Sequence, residues 1–183
     1  MPVARNLWGH IERRDHRVMR RVHRWRAPRW VRIWMTAATR MGDGWIWCGL
    51  GLLLLAFGGA ERFVAVGAAG LAALSGIFVF KILKRLSQRP RPCDIEPHCW
   101  SKILPPDQFS FPSGHTMTAF SIALVIGYFY PGLEGPLYLL AASIAISRIV
   151  LGMHFLSDVL AGILLGAGLG CAALTAFASL HLL

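Results

Sequence analysis

The residues best suited to chemistry are two histidines, an aspartate and three fixed cations, strung between Lys84 and Asp158. His154 and Asp158 are spaced i, i+4, so on a helix they share a face. An aspartate accepting from one imidazole nitrogen fixes the tautomer and leaves the other nitrogen bare, as in an activated nucleophile. Lys84, Arg91 and Arg148 supply permanent positive charge, and arginine can grip two phosphate oxygens at once. Pro112-Ser113-Gly114-His115 stands where a helix should start. There Gly114 admits close backbone approach, Ser113 adds a hydroxyl, and the N–H groups of a helix start attract an anion. Each feature has a plainer reading: span-end cations anchor at the interface, Pro-Ser-Gly makes turns, and His–Asp pairs are often structural. Only their convergence carries weight.

Convergence depends on the elements between them. Hydrophobic residues make up 55% of the 183-residue chain and charged residues 15%, against about 25% charged in a typical soluble domain. Uncharged runs cover Trp45 to Ala60, Phe63 to Phe80, Thr116 to Leu133, Gly135 to Ser147 and Val159 to Leu180. A spanning helix needs roughly 17–25 mostly apolar residues. The second, third and fifth runs meet that; the first and fourth are short. The reading is all-α: an integral membrane bundle of about five transmembrane helices, preceded by an interfacial segment over 1–40. Glu61-Arg62 should turn the chain between the first two spans, Pro131 to Pro136 between the third and fourth, and Gly152 before the fifth. Alternating spans then place Lys84, Arg91, His115, Arg148, His154 and Asp158 at one membrane face, where ionisable groups are costly and therefore functional candidates.

Formal charge is +10, from 19 Lys+Arg against 9 Asp+Glu. The basic residues flank spans and form no soluble domain, so anionic lipid headgroups, and no nucleic acid, are the expected partners. Leu7, Ile11, Val18, Val22 and Trp25 recur at helical spacing, with Arg13, Arg17, Arg20, Arg21 and Arg24 largely outside that stripe. This is an amphipathic helix suited to the membrane interface. No secretory signal is visible. Cys48 and Cys171 sit in apolar runs. Cys93 and Cys99 share a loop and could pair in an oxidising compartment; a metal clip around them would lack a second ligand pair.

The chain resembles the type-2 phosphatidic acid phosphatases, the lipid phosphate phosphatase superfamily, in a small bacterial integral-membrane form. Lys84-x6-Arg91-Pro92, Pro112-Ser113-Gly114-His115 and Ser147-Arg148-x5-His154-x3-Asp158 match its three signatures in order. The resemblance implies that His154 attacks phosphorus, that Asp158 orients it, and that His115 protonates the departing lipid oxygen and then activates water. Lys84, Arg91, Ser113, Gly114 and Arg148 would hold the phosphoryl oxygens. Arg89-Pro90 repeats the Arg-Pro pair, but Lys84 plus seven selects Arg91. No carboxylate cluster is present to hold Mg²⁺, so neither metal nor cofactor is expected, and two histidines in opposite protonation states imply a bell-shaped pH–rate profile.

Two arguments about sidedness conflict. Charge bias puts the active face in the cytoplasm, whereas resemblance puts it outside the bacterial inner membrane. An outward site would suit undecaprenyl diphosphate, an inward one phosphatidylglycerophosphate, with residues Asp94 to Gln108 selecting the headgroup. A phosphotransferase using the same residues and a non-catalytic lipid-binding protein are the alternatives.

Overall fold

The computed structural model describes residues 2–96 and 108–180, with side chains from Gly9 onward. Cys99, the side chain of Leu7 and most of the loop expected to select headgroups lie outside the described residues. Those described form helices α1 (Pro2–Arg24), α2 (Arg29–Met41), α3 (Trp45–Phe57), α4 (Arg62–Ser87), α5 (Pro92–Ile95), α6 (Gly114–Phe129), α7 (Pro131–Val150) and α8 (Leu156–Ser179). Three stretches, Arg62–Ile95, Pro131–Val150 and Leu156–Ser179, are long and apolar enough to cross a membrane; α3 and α6 are shorter apolar helices. The five expected apolar segments are all helical.

Their lengths differ from expectation at one junction. Pro131 to Pro136 is not a turn but the opening of α7, and the chain breaks one residue earlier, at Tyr130. Pro131 occupies the first helical position, where the missing N–H is not needed, and Pro136 forgoes only the bond to the Gly132 carbonyl. The fourth span is thereby long, at 20 residues, and the third short, at 16.

The bundle is built around α6, which packs against α4, α7 and α8. Gly162, Gly166 and Gly170 form one stripe on α8 facing it. A Cβ at Gly162 would sit 2.8 Å from the Ser113 carbonyl oxygen, and one at Gly166 would collide with the Met117 carbonyl. Small residues thus let the two backbones touch, the contact membrane helices favour. The close approach pins the start of α6 to the start of α8, where the Ser113 N–H donates to the Asp158 carbonyl at 3.1 Å.

The N-terminal segment is two helices, interrupted at Trp25–Pro28 because a residue before proline is pushed out of helical geometry. The side of α1 turned to the bundle is not the apolar stripe read from sequence. Asp15 and Met19 are its buried residues, while Ile11, Val18 and Val22 are half-buried and Trp25 is exposed. α2 buries Val31, Met35, Ala38 and Thr39 and packs on α7, so residues 29–41 belong to the bundle wall rather than to a detached interfacial segment.

Candidate active site

The end of the bundle where α4, α6 and α7 meet the start of α8 holds an open cleft of about 1020 Å³. Lys84, Arg91, Gly114, His115, Arg148 and His154 all line it, so residues 70 positions apart in sequence do gather at one site. Lys84, Arg91, Arg148 and His154 are each no more than 6% exposed. Burying that much positive charge is costly unless an anion or fixed dipoles answer it. Part of the answer is visible. Arg91 donates to the Met153 carbonyl at 2.7 Å and Arg148 to the Thr39 hydroxyl at 2.6 Å. The first N–H groups of α6, which have no intrahelical acceptor, begin at Gly114 on the cleft wall.

His154 does not share a helix with Asp158, contrary to the i, i+4 reading. It lies in the link between α7 and α8. Gly152 takes φ +68° there, a left-handed conformation that glycine adopts without a Cβ clash. The N–H groups of Met153 and His154 both donate to the Arg148 carbonyl, at 3.0 and 3.1 Å. This tight turn, rather than a helical face, sets the spacing from Arg148 to His154. Asp158 sits in the first turn of α8, where Oδ2 accepts from the Phe155 N–H at 2.8 Å. His154 Nδ1 lies 3.7 Å from that oxygen and has no hydrogen-bond partner; Nε2 lies 3.4 Å from an Arg91 nitrogen. Burial first, then Arg148, Arg91 and Lys84, hold the His154 imidazole well below its ordinary pKa, so it is neutral near pH 7.

Three residues of the N-terminal helices and their links complete the site, and none was singled out from sequence. Asp43, in the α2–α3 link, accepts from His115 Nε2 at 2.9 Å, which leaves Nδ1 as the nitrogen able to exchange a proton. Thr39 anchors Arg148. Asp15 accepts from Arg89 at 2.7 Å, and Arg89 in turn donates to Asp158 Oδ1 at 2.6 Å. The second Arg-Pro arginine therefore faces the catalytic end instead of solvent. A signal for Asp43 did exist: it is the only acidic residue between Asp15 and Glu61, and it stands between two glycines at the mouth of an apolar run.

The described residues form an all-helical bundle with membrane-length apolar helices that gathers two histidines, an aspartate and three buried cations at one end, the architecture of a membrane protein with a strongly cationic cleft. The PAP2 superfamily pattern matches residues 65–181, more than half of the chain and every expected site residue. The chain belongs to the PAP2 superfamily. Decaprenylphosphoryl-5-phosphoribose phosphatase of Mycobacterium tuberculosis is 38% identical over 125 residues, covering 66% of this chain and 68% of that one. Phosphatidylglycerophosphatase B of Bacillus subtilis is 41% identical over 97 residues, 47% of this chain and 45% of that one. The crystal structure of Aquifex aeolicus LpxE superposes with a TM-score of 0.75 at 30% identity, covering 87% of this chain and 93% of that one. A transmembrane PAP2-type phosphatidylglycerolphosphate phosphatase from Bacillus subtilis shares the fold, with a TM-score of 0.69 at 24% identity over 91% of this chain and 85% of that one.

Proposed function

We propose that this protein hydrolyses a lipid phosphomonoester through a phosphohistidine on His154. The observation that carries the proposal is the placement of His154: one ring nitrogen toward Asp158, the other beside Arg91, at the wall of the cleft that His115 also lines. The phosphoryl oxygens are held by Lys84, Arg91 and Arg148 with the Gly114 N–H; the Ser113 hydroxyl, also expected there, is instead fully buried 2.9 Å from the Thr116 hydroxyl and does not line the cleft. His154 Nε2 attacks phosphorus, and the bond from phosphorus to the lipid oxygen breaks. Nδ1 of His115 gives that oxygen a proton. His115 then takes a proton from water, whose oxygen displaces His154 and releases inorganic phosphate. Asp158 stabilises the imidazolium that forms when His154 is phosphorylated. The clustered cations meet the charge of the transition state, the role given to Arg and Mg²⁺ clamps elsewhere.

Ile77 and Phe80 of α4 line the same cleft, and Leu74 and Phe78 on that helix are exposed. Lipid tails would leave the site along this apolar flank. The names of the relatives describe a phosphoribose carried on a polyprenyl phosphate and a phosphatidylglycerophosphate. A terminal monophosphate on a lipid-linked headgroup is accordingly the substrate class, with undecaprenyl diphosphate as the diphosphate competitor. The test is phosphate release by purified protein from phosphatidylglycerophosphate, phosphatidic acid and undecaprenyl diphosphate, with and without EDTA. Monoester turnover that resists EDTA and vanishes in His154→Ala is expected. No release from any of the three, or turnover unchanged in His154→Ala, would overturn the proposal. A phosphorylated lipid product in place of free phosphate would mark a phosphotransferase.

A further inference from the structure

α1 carries a buried acid that the proposed reaction does not use. Asp15 is 3% exposed, and both of its oxygens are occupied: Oδ1 accepts from the Ser157 N–H at 3.0 Å, and Oδ2 from the Ser157 hydroxyl and from Arg89. Arg89 stacks over the Phe155 ring at 4.2 Å and reaches Asp158. One residue of an amphipathic helix is thus clamped to Ser157 at the head of α8 and, through Arg89, to Asp158.

The flank of α1 next to this clamp has a different character. Arg14, Arg17, Arg20, Arg21 and Arg24 are exposed and, with Val18, Val22 and Leu156, line a groove of about 810 Å³. Among the described residues no carboxylate lies within ion-pair distance of these five. Like charges three and four positions apart repel along a helix, so the face is unfavourable until an anion covers it. The floor is apolar, which a small inorganic anion or a nucleic acid would leave exposed. Trp25, Trp30 and Trp34 stand exposed along the same N-terminal segment, as side chains at a headgroup interface do. Leu156 of that floor precedes Ser157, the residue held by Asp15.

We propose that this groove binds the headgroup of an anionic phospholipid, and that the bound lipid holds α1 against α8 and so fixes Asp158 through Asp15 and Arg89. The coupling rests on Asp158 as the partner of His154; the binding does not. Phosphatidylglycerol is the probe, and the full chain is tested in two ways. In the first, lipid retained on purified protein is measured by mass spectrometry for wild type and for the R14Q/R17Q/R21Q variant. Wild type should retain phosphatidylglycerol over phosphatidylcholine, and the variant should lose that preference. Equal retention by the two proteins would overturn the site. In the second, turnover of a short-chain phosphate ester is compared in nanodiscs with and without phosphatidylglycerol. Wild type should gain about five-fold or more, in the ordinary range of coupling between two sites. The ratio should fall to about one in the triple variant and in Asp15→Asn, the latter still retaining the lipid. A wild-type ratio of one would overturn the coupling. Absence of turnover in every lipid would overturn the phosphatase reading and leave the retention result to decide the site.

Discussion

The two histidines of the cleft occupy unlike settings. His154 is 2% exposed, held in a turn closed on Arg148 and flanked by Arg91 and Asp158. His115 sits nearer the opening: its side chain is 18% exposed, and that of its partner Asp43 is 41% exposed. A nucleophile gains from burial, because desolvation and nearby cations keep it neutral and rigidly aimed. A group that must exchange protons with a lipid oxygen and then with water gains from reaching solvent. The difference in exposure is consistent with the separate roles proposed for the two rings.

Breaking the deep side should cost most. His154→Ala removes the attacking atom, and phosphate release should fall about 10⁴-fold or more, as when the nucleophile of a catalytic unit is deleted. A loss under about ten-fold would mean that water attacks without His154. His115→Gln should cost about 10²–10⁴-fold on a lipid monoester, the usual worth of general acid–base catalysis. The same variant should lose far less on p-nitrophenyl phosphate, whose leaving group departs without a proton. Equal losses on both substrates would argue that His115 binds phosphate instead of donating a proton. Asp43→Asn keeps the ring but weakens its orientation. It should reproduce the same substrate dependence at about ten-fold, typical of partners one shell out.

The deep side and His115 were largely legible in the sequence, and the partners that come from the N-terminal helices were not. Lys84, Arg91, Ser113, Gly114, Arg148, His154 and Asp158 stand at fixed spacings within 75 residues, and each spacing is set by a local device: a helix end, a helix start or a tight turn. Asp43 and Thr39 come from another part of the chain, and nothing local ties their positions to His115 or Arg148. Their contacts exist because α2 packs on α7, a tertiary fact. Asp15 was hidden for a related reason. A stripe of apolar residues marks the face of α1 that a hydrophobic surface would bury, but here the buried contact is polar, and an acid surrounded by arginines reads as solvated. The helical-face premise for His154 and Asp158 does not hold, and the two rest 3.7 Å apart without a hydrogen bond. Gly152 was seen as a break, yet the turn it makes, and not a shared helix face, brings the two together.

A milder perturbation tests the frame that holds both sides in register. Gly162→Ala places a Cβ 2.8 Å from the Ser113 carbonyl oxygen, a backbone atom that cannot swing away. The start of α6 must then separate from α8, at a cost of about 1–3 kcal/mol for overpacking. Thermal unfolding in detergent should shift downward accordingly. Because Ser113 to His115 ride on α6 while Asp158 stays on α8, activity should fall further than the stability loss alone explains. An unchanged melting temperature would show that α6 and α8 are less tightly joined than their contact implies.

The smallest expected effect concerns the acid limb of the pH–rate profile. Burial and three cations depress the His154 pKa, so kcat/KM should hold steady as pH falls through 6.5, the ordinary imidazole value, and decline only in more acidic buffer. The sign for stability is the same. Below 6.5 an unfolded chain protonates this imidazole while the folded protein resists, so His154 favours folding above that pH and favours unfolding progressively below it. Both curves come from one purified sample. An acid limb at or above 6.5 would mean that water and counter-charge reach the His154 ring, and the case for a sealed nucleophile would lose its physical basis.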